Sequence, residues 1–436
     1  MRLIIAIIIS TLISACAISP KDLEGAAQEG FFIYDGAPLS IMDLKCNADG
    51  SVIATARSFG KYHVLRSEDG GRSWRVVHQG SASGLDDGER VLIDEFRNLE
   101  APGKTTYVVS AIMAFGVGQD SAWTASATAP WLMSKNGAIN WESLSPQIPH
   151  RFSSVSISGR LLVTSRQWRG SISISDDNGL SWREHDFDGL GRTQAYVGGR
   201  GEILVLGVSG SAFSLSRELV ALHSSDYGKR WEETLRVPLP YENTDYGKFS
   251  FEQVVGNLDD GLLVFRNWKA GDSGRDIHLT YDGGRTWTLV NTEFAKPFTH
   301  FVPLGSNRWL GLSLNRQWPP EAWESKDGTK WSWRATGYGI ERGKVTLVRA
   351  IRPDTVVAYL GNGKLWRTTN GGRDWQVIAI DQSEDRDFVF FPKMCTDGKS
   401  VFVMAINHSR KMTPYGAKVS ASIDAGATWQ TGVLLQ

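Results

Sequence analysis

This sequence is poor in the features that mark chemistry. Its 436 residues include only three cysteines, at 16, 46 and 395. The eight histidines (His63, His78, His150, His185, His223, His278, His300 and His408) are scattered, with no metal-ligand spacing. No nucleophile elbow of the Gly-x-Ser-x-Gly kind occurs; Gly207-Val208-Ser209-Gly210 is a chance near-match. No glycine-rich phosphate cradle occurs either. The expectation is therefore no metal and no cofactor. Charge of one sign is not in excess. The 47 basic and 47 acidic residues cancel, which argues against nucleic acid or an anionic membrane surface as an electrostatic partner.

A long hydrophobic run is also missing. The apolar stretch at 3–9 (LIIAIII) is too short to span a bilayer. It follows Arg2 and precedes small residues, the pattern of an export signal. Ile13-Ser14-Ala15-Cys16 resembles the bacterial lipobox, which implies cleavage after residue 15 and acylation of Cys16. An ordinary secretory signal with a chance cysteine is the alternative. Acyl chains would anchor the domain without spanning the membrane. Ala17 after the cysteine favours, by resemblance to Gram-negative sorting rules, the periplasm-facing outer membrane. Residues 17–30 (AISPKDLEGAAQEG) are small and polar and read as a flexible tether. The expected division is 1–15 signal, 16–30 lipidated cysteine and tether, 31–436 folded domain.

What the chain has in abundance is one repeated string. Ser67-Glu68-Asp69-Gly70-Gly71-Arg72-Ser73-Trp74 returns almost unchanged at 280–287 (TYDGGRTW). The frame Ser/Thr-x-Asp-x-Gly-x-Ser/Thr-Trp also fits 175–182 and 422–429, and more loosely 224–231, 368–375, 134–141 and 325–331. Asp69, Asn136, Asp177, Asp226, Asp282, Asp327, Asn370 and Asp424 hold the acid slot. Gly supplies positive φ and Asp bonds its own backbone, so each octet predicts a tight hairpin turn. Strand-like runs flank every octet, and two more precede it, as at 41–46 and 52–56. The unit is four strands, A to D, with the octet between C and D. Octets begin at 67, 134, 175, 224, 280, 325, 368 and 422, the spacing of β-propeller blades. The first step is the longest and carries insertions at 80–90 and 116–130.

The octets resemble those of the Asp-box, or BNR-repeat, propeller families, and the resemblance covers nearly all of 31–436. It implies an all-β chain: a single propeller of four-stranded blades, eight by octet count, or seven if the unit at 134 is not a blade. These families include sialidases, two-propeller glucanases, sortilin-type receptors and photosystem assembly factors, so the resemblance specifies fold rather than function. Cys46 and Cys395 both end A strands, just before Asn47-Ala48-Asp49-Gly50 and Thr396-Asp397-Gly398, on the first and last blades. Closure of a ring makes those blades neighbours. A disulfide between the two is expected in an oxidising compartment, with two buried free thiols as the alternative. Because 429–435 reads as the last D strand, no strand exchange between the termini is required.

Asp-box families generally bind on the face away from the octets. There, Arg166-Gln167-Trp168, Arg266-Asn267-Trp268 and Arg316-Gln317-Trp318 follow strand B, and Arg57-Ser58-Phe59 occupies the same place in the first blade. Arg57, Phe59, Arg166, Trp168, Arg266, Trp268, Arg316 and Trp318 are the candidate binding residues. Such pairs can stack sugars or anchor a protein; alternatively each packs under its own loop. Trp123, Trp131 and Trp323 are read as belonging to insertions on that face. Glycosidases need paired carboxylates; Asp43, Asp94, Glu95 and Glu252 lie on A strands. The Arg-Ile-Pro motif of sialidases is missing, and Ile351-Arg352-Pro353-Asp354 is only an echo. The reading is a lipid-anchored, monomeric, protein-binding propeller, either an assembly factor or an inhibitory immunity lipoprotein. The alternative is a glycan-binding protein or divergent glycoside hydrolase.

Overall fold

The structure is a computed structural model. It describes residues 24, 27, 28, 30–58, 61–81, 90–101, 104–114, 132–134, 142–143, 154–158, 161–165, 170–177, 180–209, 217–239, 254–258, 261–265, 277–290, 300–305, 307–313, 321–336, 347–359, 364–379, 388–410 and 413–435. Cys16 and almost all of 1–29 lie outside the described residues; Glu24, Ala27 and Gln28 are helical.

Strands of two to twelve residues pair with their sequence neighbours, again and again. In the first sheet, Ser40–Cys46, Val52–Ser58, Lys61–Ser67 and Ser73–Ser81 lie side by side in chain order. The same up-and-down order recurs in the sheet of Leu190–Val197, Ile203–Ser209, Arg217–Ser224 and Glu232–Leu239 and in each later one. This is a β-propeller of four-stranded blades. Composition explains the order of burial. Strands B and C are rich in Val, Ile, Leu, Ser and Thr and are buried on both faces, as in Leu161–Ser165, Ser171–Ser175 and Thr355–Tyr359. The D strand Arg183–Asp186 (REHD) alternates half-buried and exposed, as an outer edge should.

The chain divides into two compact units. One comprises Met1–Ser81, Tyr359–Leu365 and Ile378–Gln436, the other Ala82–Ala358 and Trp366–Val377. The expected count of eight blades in one ring, or seven, is corrected here. Five four-stranded sheets lie wholly in the second unit, and a sixth, at 347–379, is divided between the two. The blades that gather there number six, while the first and last sheets form the other unit. Counting octets counts hairpins; it does not say which sheets collect into one body.

Within the first unit, the first and last sheets are joined at a seam with several different fasteners. Cys46 and Cys395 form a disulfide across it, with Cα atoms 5.4 Å apart. The side-chain amide of Asn407 acts as a strand partner: its Oδ1 accepts from Ile41 N–H and its Nδ2 donates to Ile41 C=O, both at 2.7 Å. Phe32, Leu39, Ile41, Val52, Trp74, Val403, Ala417 and Val419 share one core there.

Two features of this seam were not expected. A small hairpin, Ile33–Tyr34 with Ala37–Pro38, precedes the first sheet, and Phe32 N–H donates to Ala417 C=O of the last. Asp35 and Gly36 turn it with φ of 50° and 67°, the left-handed pair of a type I′ turn. The C-terminus, moreover, does exchange. The last D strand stops at Gln430–Thr431, and Val433–Leu434 pairs in parallel with Ser73 and Trp74 as a fifth strand of the first sheet. Gly432 makes the crossing: its N–H still bonds Val419 C=O, while Val433 N–H bonds Arg72 C=O. The expectation of one continuous strand over 429–435 is thus corrected.

Candidate functional site

The described octets lie at one end of their sheets, and most of their polar atoms are engaged, the buried Trp231 Nε1 being an exception. In the first, Asp69 Oδ1 accepts from Ser67 Oγ (2.8 Å), Arg72 N–H (3.1 Å) and Ser73 N–H (2.9 Å), and Oδ2 accepts from Ser73 Oγ (2.6 Å). Ser67 Oγ accepts from Gly71 N–H, and Trp74 Nε1 donates to Gly71 C=O. Asp282 and Asp424 repeat the pattern with Thr286 and Thr428. Asp177 and Asp226 take the same loop amide four residues on, and Asp327, in the octet one residue short, takes Thr329 and Lys330 N–H. Asn370 keeps the amide-accepting oxygen, and its Nδ2 donates to Asp374 in the slot where Ser or Thr usually stands. Asn136 lies outside the described residues.

These bonds set the electrostatics. At Asp327 the backbone N–H of Lys330 leads in holding the carboxyl down, to a pKa of about 2. At Asp424 partial burial pulls the pKa up, but the Thr428 hydroxyl and amide, Ser422 and Ala427 outweigh it and bring it to about 2. Such carboxylates stay ionised near neutrality and have their lone pairs committed to the loop. Among the described residues no group of three His, Cys, Asp or Glu is placed to hold a metal.

The octets also fasten sheet to sheet. Gly71, at φ +92°, lies so close to the last sheet that a Cβ would sit 2.6 Å from Val403 Cγ2 and 3.2 Å from Ala421 Cβ. In the second unit, Gly228 meets Ile174, Gly284 meets Leu204, and Gly328 meets Leu279 in the same way. Charge supports the same contacts: Arg285 pairs with Glu202, and Arg308 bridges Glu324 and Asp354. Asp354, from the Ile-Arg-Pro-Asp string, is thus a structural partner.

The opposite end of the first sheet carries the described part of the candidate binding face. Arg57 is half-buried at the end of strand B, opposite Ser40 and Tyr62. Lys61 Nζ and Asp35 Oδ2 pair at 2.8 Å on the surface, and Lys61 holds the Asp35 carboxyl below its usual range. Beneath them Ser58 Oγ lies 2.8 Å from His63 Nε2, with Tyr34 edge-on to the imidazole. This Ser–His pair is not a hydrolytic dyad. His63 is wholly buried, its Nδ1 has no hydrogen-bond partner, and burial, then Lys61, lowers its pKa. A triad histidine instead has its second nitrogen oriented by a carboxylate.

Phe59, Arg166, Trp168, Arg266, Trp268, Arg316, Trp318, Trp123, Trp131 and Glu252 lie outside the described residues, as do the side chains of Asp94 and Glu95. Trp323 belongs to no insertion. It sits in the C strand Glu321–Ser325, opposite Trp333, and packs on the core around Phe301 and Trp309. Asp43, on an A strand, accepts from Leu44 N–H.

No family model matches the chain, and no curated protein does. Solved structures do resemble it. A eukaryotic initiation factor aligns over 93% of this chain and 90% of its own, at 8% identity and TM-score 0.50. YCF48 from Cyanidioschyzon merolae aligns over 90% and 97%, at 11% and 0.42, and YCF48 bound to a D1 peptide over 63% and 77%, at 13% and 0.37. The β-propeller domain of the Trilobed protease from Pyrococcus furiosus aligns over 78% and 96%, at 11% and 0.42. At these identities the likeness concerns fold alone.

Proposed function

We propose that this protein is a lipid-anchored Asp-box propeller, held at the periplasmic side of the outer membrane, that binds another protein on the face opposite its octets. The observation that carries this reading is the commitment of the octet end. Its described carboxylates accept bonds from their own loops, and Gly71, Gly228, Gly284 and Gly328 are pressed against a neighbouring sheet. Loops at the other end vary freely on a rigid scaffold, which suits recognition. Arg57 and the exposed Lys61–Asp35 pair stand there. An assembly factor or an immunity lipoprotein fits this arrangement. A glycan is the second reading, favoured by the recurrence of Arg-x-Trp after strand B, since such pairs stack sugars.

The test is recovery of partners from envelope extract by the full chain. A protein should co-purify and be lost when Trp168, Trp268 and Trp318 are replaced by Ala, but not when Arg373 in an octet is. Recovery of no protein, together with release of sugar from a glycan panel, would overturn the reading. Mass analysis of the Cys16 peptide and membrane fractionation test the anchor and the address.

A further inference from the structure

We propose that the rim formed by the C-terminal strand and the last octet, bearing Ile423, Val433 and Leu435, rests on a phospholipid surface. The proposal builds on the anchor at Cys16, but it is carried by where Gly30 lies and by what surrounds it.

Gly30 lies against the outer edge of the last sheet. A Cβ there would stand 2.9 Å from Thr431 Cγ2. Fourteen residues separate Cys16 from Gly30 in the sequence. Fully extended, they reach at most about 50 Å. An acylated Cys16 therefore ties this edge to within that reach of the leaflet that holds the acyl chains.

That edge has an apolar surface that folding does not explain. Two residues beyond Thr431 the chain enters its final strand, where Val433 is 57% and Leu435 52% exposed. Leu434, between them, turns inward and packs on the core. Alternation in a strand puts Val433 and Leu435 on one outward side. Ile423, 46% exposed, joins them across the first octet. It lies 2.9 Å from where a Cβ would stand on Gly70, and Val433 N–H bonds Arg72 C=O two residues further on. The segment Gly432-Val433-Leu434-Leu435 around the strand Val433–Leu434 carries no charged side chain, although natural edges often carry charged residues or Pro. The D strand Glu232–Leu239, by contrast, holds two Glu, one Arg and one Pro. The protein has no net charge, so apolar contact rather than overall charge is the proposed attraction to lipid. Ile423, Val433 and Leu435 would add apolar contact at the interface to the attachment the acyl chains supply.

Hydrogen exchange on the full chain, free and bound to phosphatidylethanolamine–phosphatidylglycerol vesicles, tests this directly. Peptides covering 422–425 and 432–435 should exchange several-fold more slowly on vesicles. Peptides around Leu180 and Leu289, at least as exposed at 70% and 57%, should not change. A Cys16→Ser chain, which cannot be acylated, separates the two proposals. It should bind vesicles weakly, and replacing Ile423, Val433 and Leu435 by Ser should lower that partition about tenfold. Serine at these exposed positions keeps every backbone bond, and Ile423→Ser alone should give part of the loss if the triple variant is unstable. If Cys16 is acylated in cells and yet exchange at 422–425 and 432–435 is the same with and without vesicles, the rim proposal is wrong and the anchor stands. If Cys16 is not acylated but the partition of the unanchored chain depends on the three side chains, the anchor is wrong and the rim stands. Equal slowing at Leu180 and Leu289 would refute a specific rim.

Discussion

Replacing Gly71 by Ala should destabilise the first unit well beyond what its backbone angle alone costs. Two terms apply. At φ +92° a side chain enters the left-handed region, costing about 1–2 kcal/mol. The new methyl would then stand 2.6 Å from Val403 Cγ2 and 3.2 Å from Ala421 Cβ. Val403 is wholly buried and cannot swing into solvent, so overpacking adds about 1–3 kcal/mol. Lower entropy of the unfolded chain returns about 0.4–1 kcal/mol. The net loss is about 1–5 kcal/mol. Gly398 supplies the control: it lies in the same unit at φ +76° with nothing within 4 Å of its Cβ position. Gly398→Ala therefore carries only the backbone terms, and the two variants should differ by about 1–3 kcal/mol. Urea unfolding of the disulfide-intact protein measures this. Val403→Ala should also rescue part of Gly71→Ala, with a coupling of about 1 kcal/mol or more between neighbours in contact. Equal losses for Gly71→Ala and Gly398→Ala, or strict additivity with Val403→Ala, would refute the view that the octet clamps the next sheet.

Removing the disulfide by Cys46→Ser should lower stability towards a limit of about 6 kcal/mol, from the entropy of a closed loop with a sequence separation of 349. Peptide mapping without reductant should show 46 joined to 395, and reductant should leave the Cys46→Ser variant unaffected. Asn407→Asp should cost about 2–4 kcal/mol, because Ile41 C=O loses its donor and a buried carboxylate takes its place; thermal melts report it, and a change under 0.5 kcal/mol would contradict the strand-mimic role. Asp424 has a depressed folded pKa, about 2 against 3.8. Its contribution is fully present above pH 4 and is lost as pH falls towards 2. Asp424→Asn should flatten the acid limb of stability in that window, and an unchanged limb would show that the loop bonds do not hold the carboxylate.

Much of this architecture is legible in the residues. The octets mark their turns because Asp, Gly and Trp each do something local: accept amides, take positive φ, and bond the loop carbonyl. The pairing of Cys46 with Cys395 could be read because both stand at the same place before an Asp-Gly turn. The opening hairpin had a usable signal in Asp35-Gly36, unread because the strands around it have two residues each. The crossing at Gly432 had none. Residues 429–435 have the same apolar–polar texture whether they finish one sheet or reach into another, and the choice depends on contacts with residues 72–74, far away in sequence. Trp323 was misplaced for the opposite reason: a lone Trp after Pro319-Pro320 suggests a loop, but its core neighbours Phe301 and Trp309 claim it for a strand. The count of blades failed because repetition in sequence is a property of hairpins, while the grouping of sheets is decided by packing between them.

The parallel strand at Val433–Leu434 also sets a timetable. Its partners Ser73 and Trp74 leave the ribosome about 360 residues earlier, which at 5–20 residues per second is roughly 20–70 s. Throughout that interval the first sheet has an open outer edge, and Cys46 waits as a thiol for a partner not yet made. The first sheet is thus among the last to be completed, and whatever handles the nascent chain must shield that edge until Val433 and Leu434 arrive.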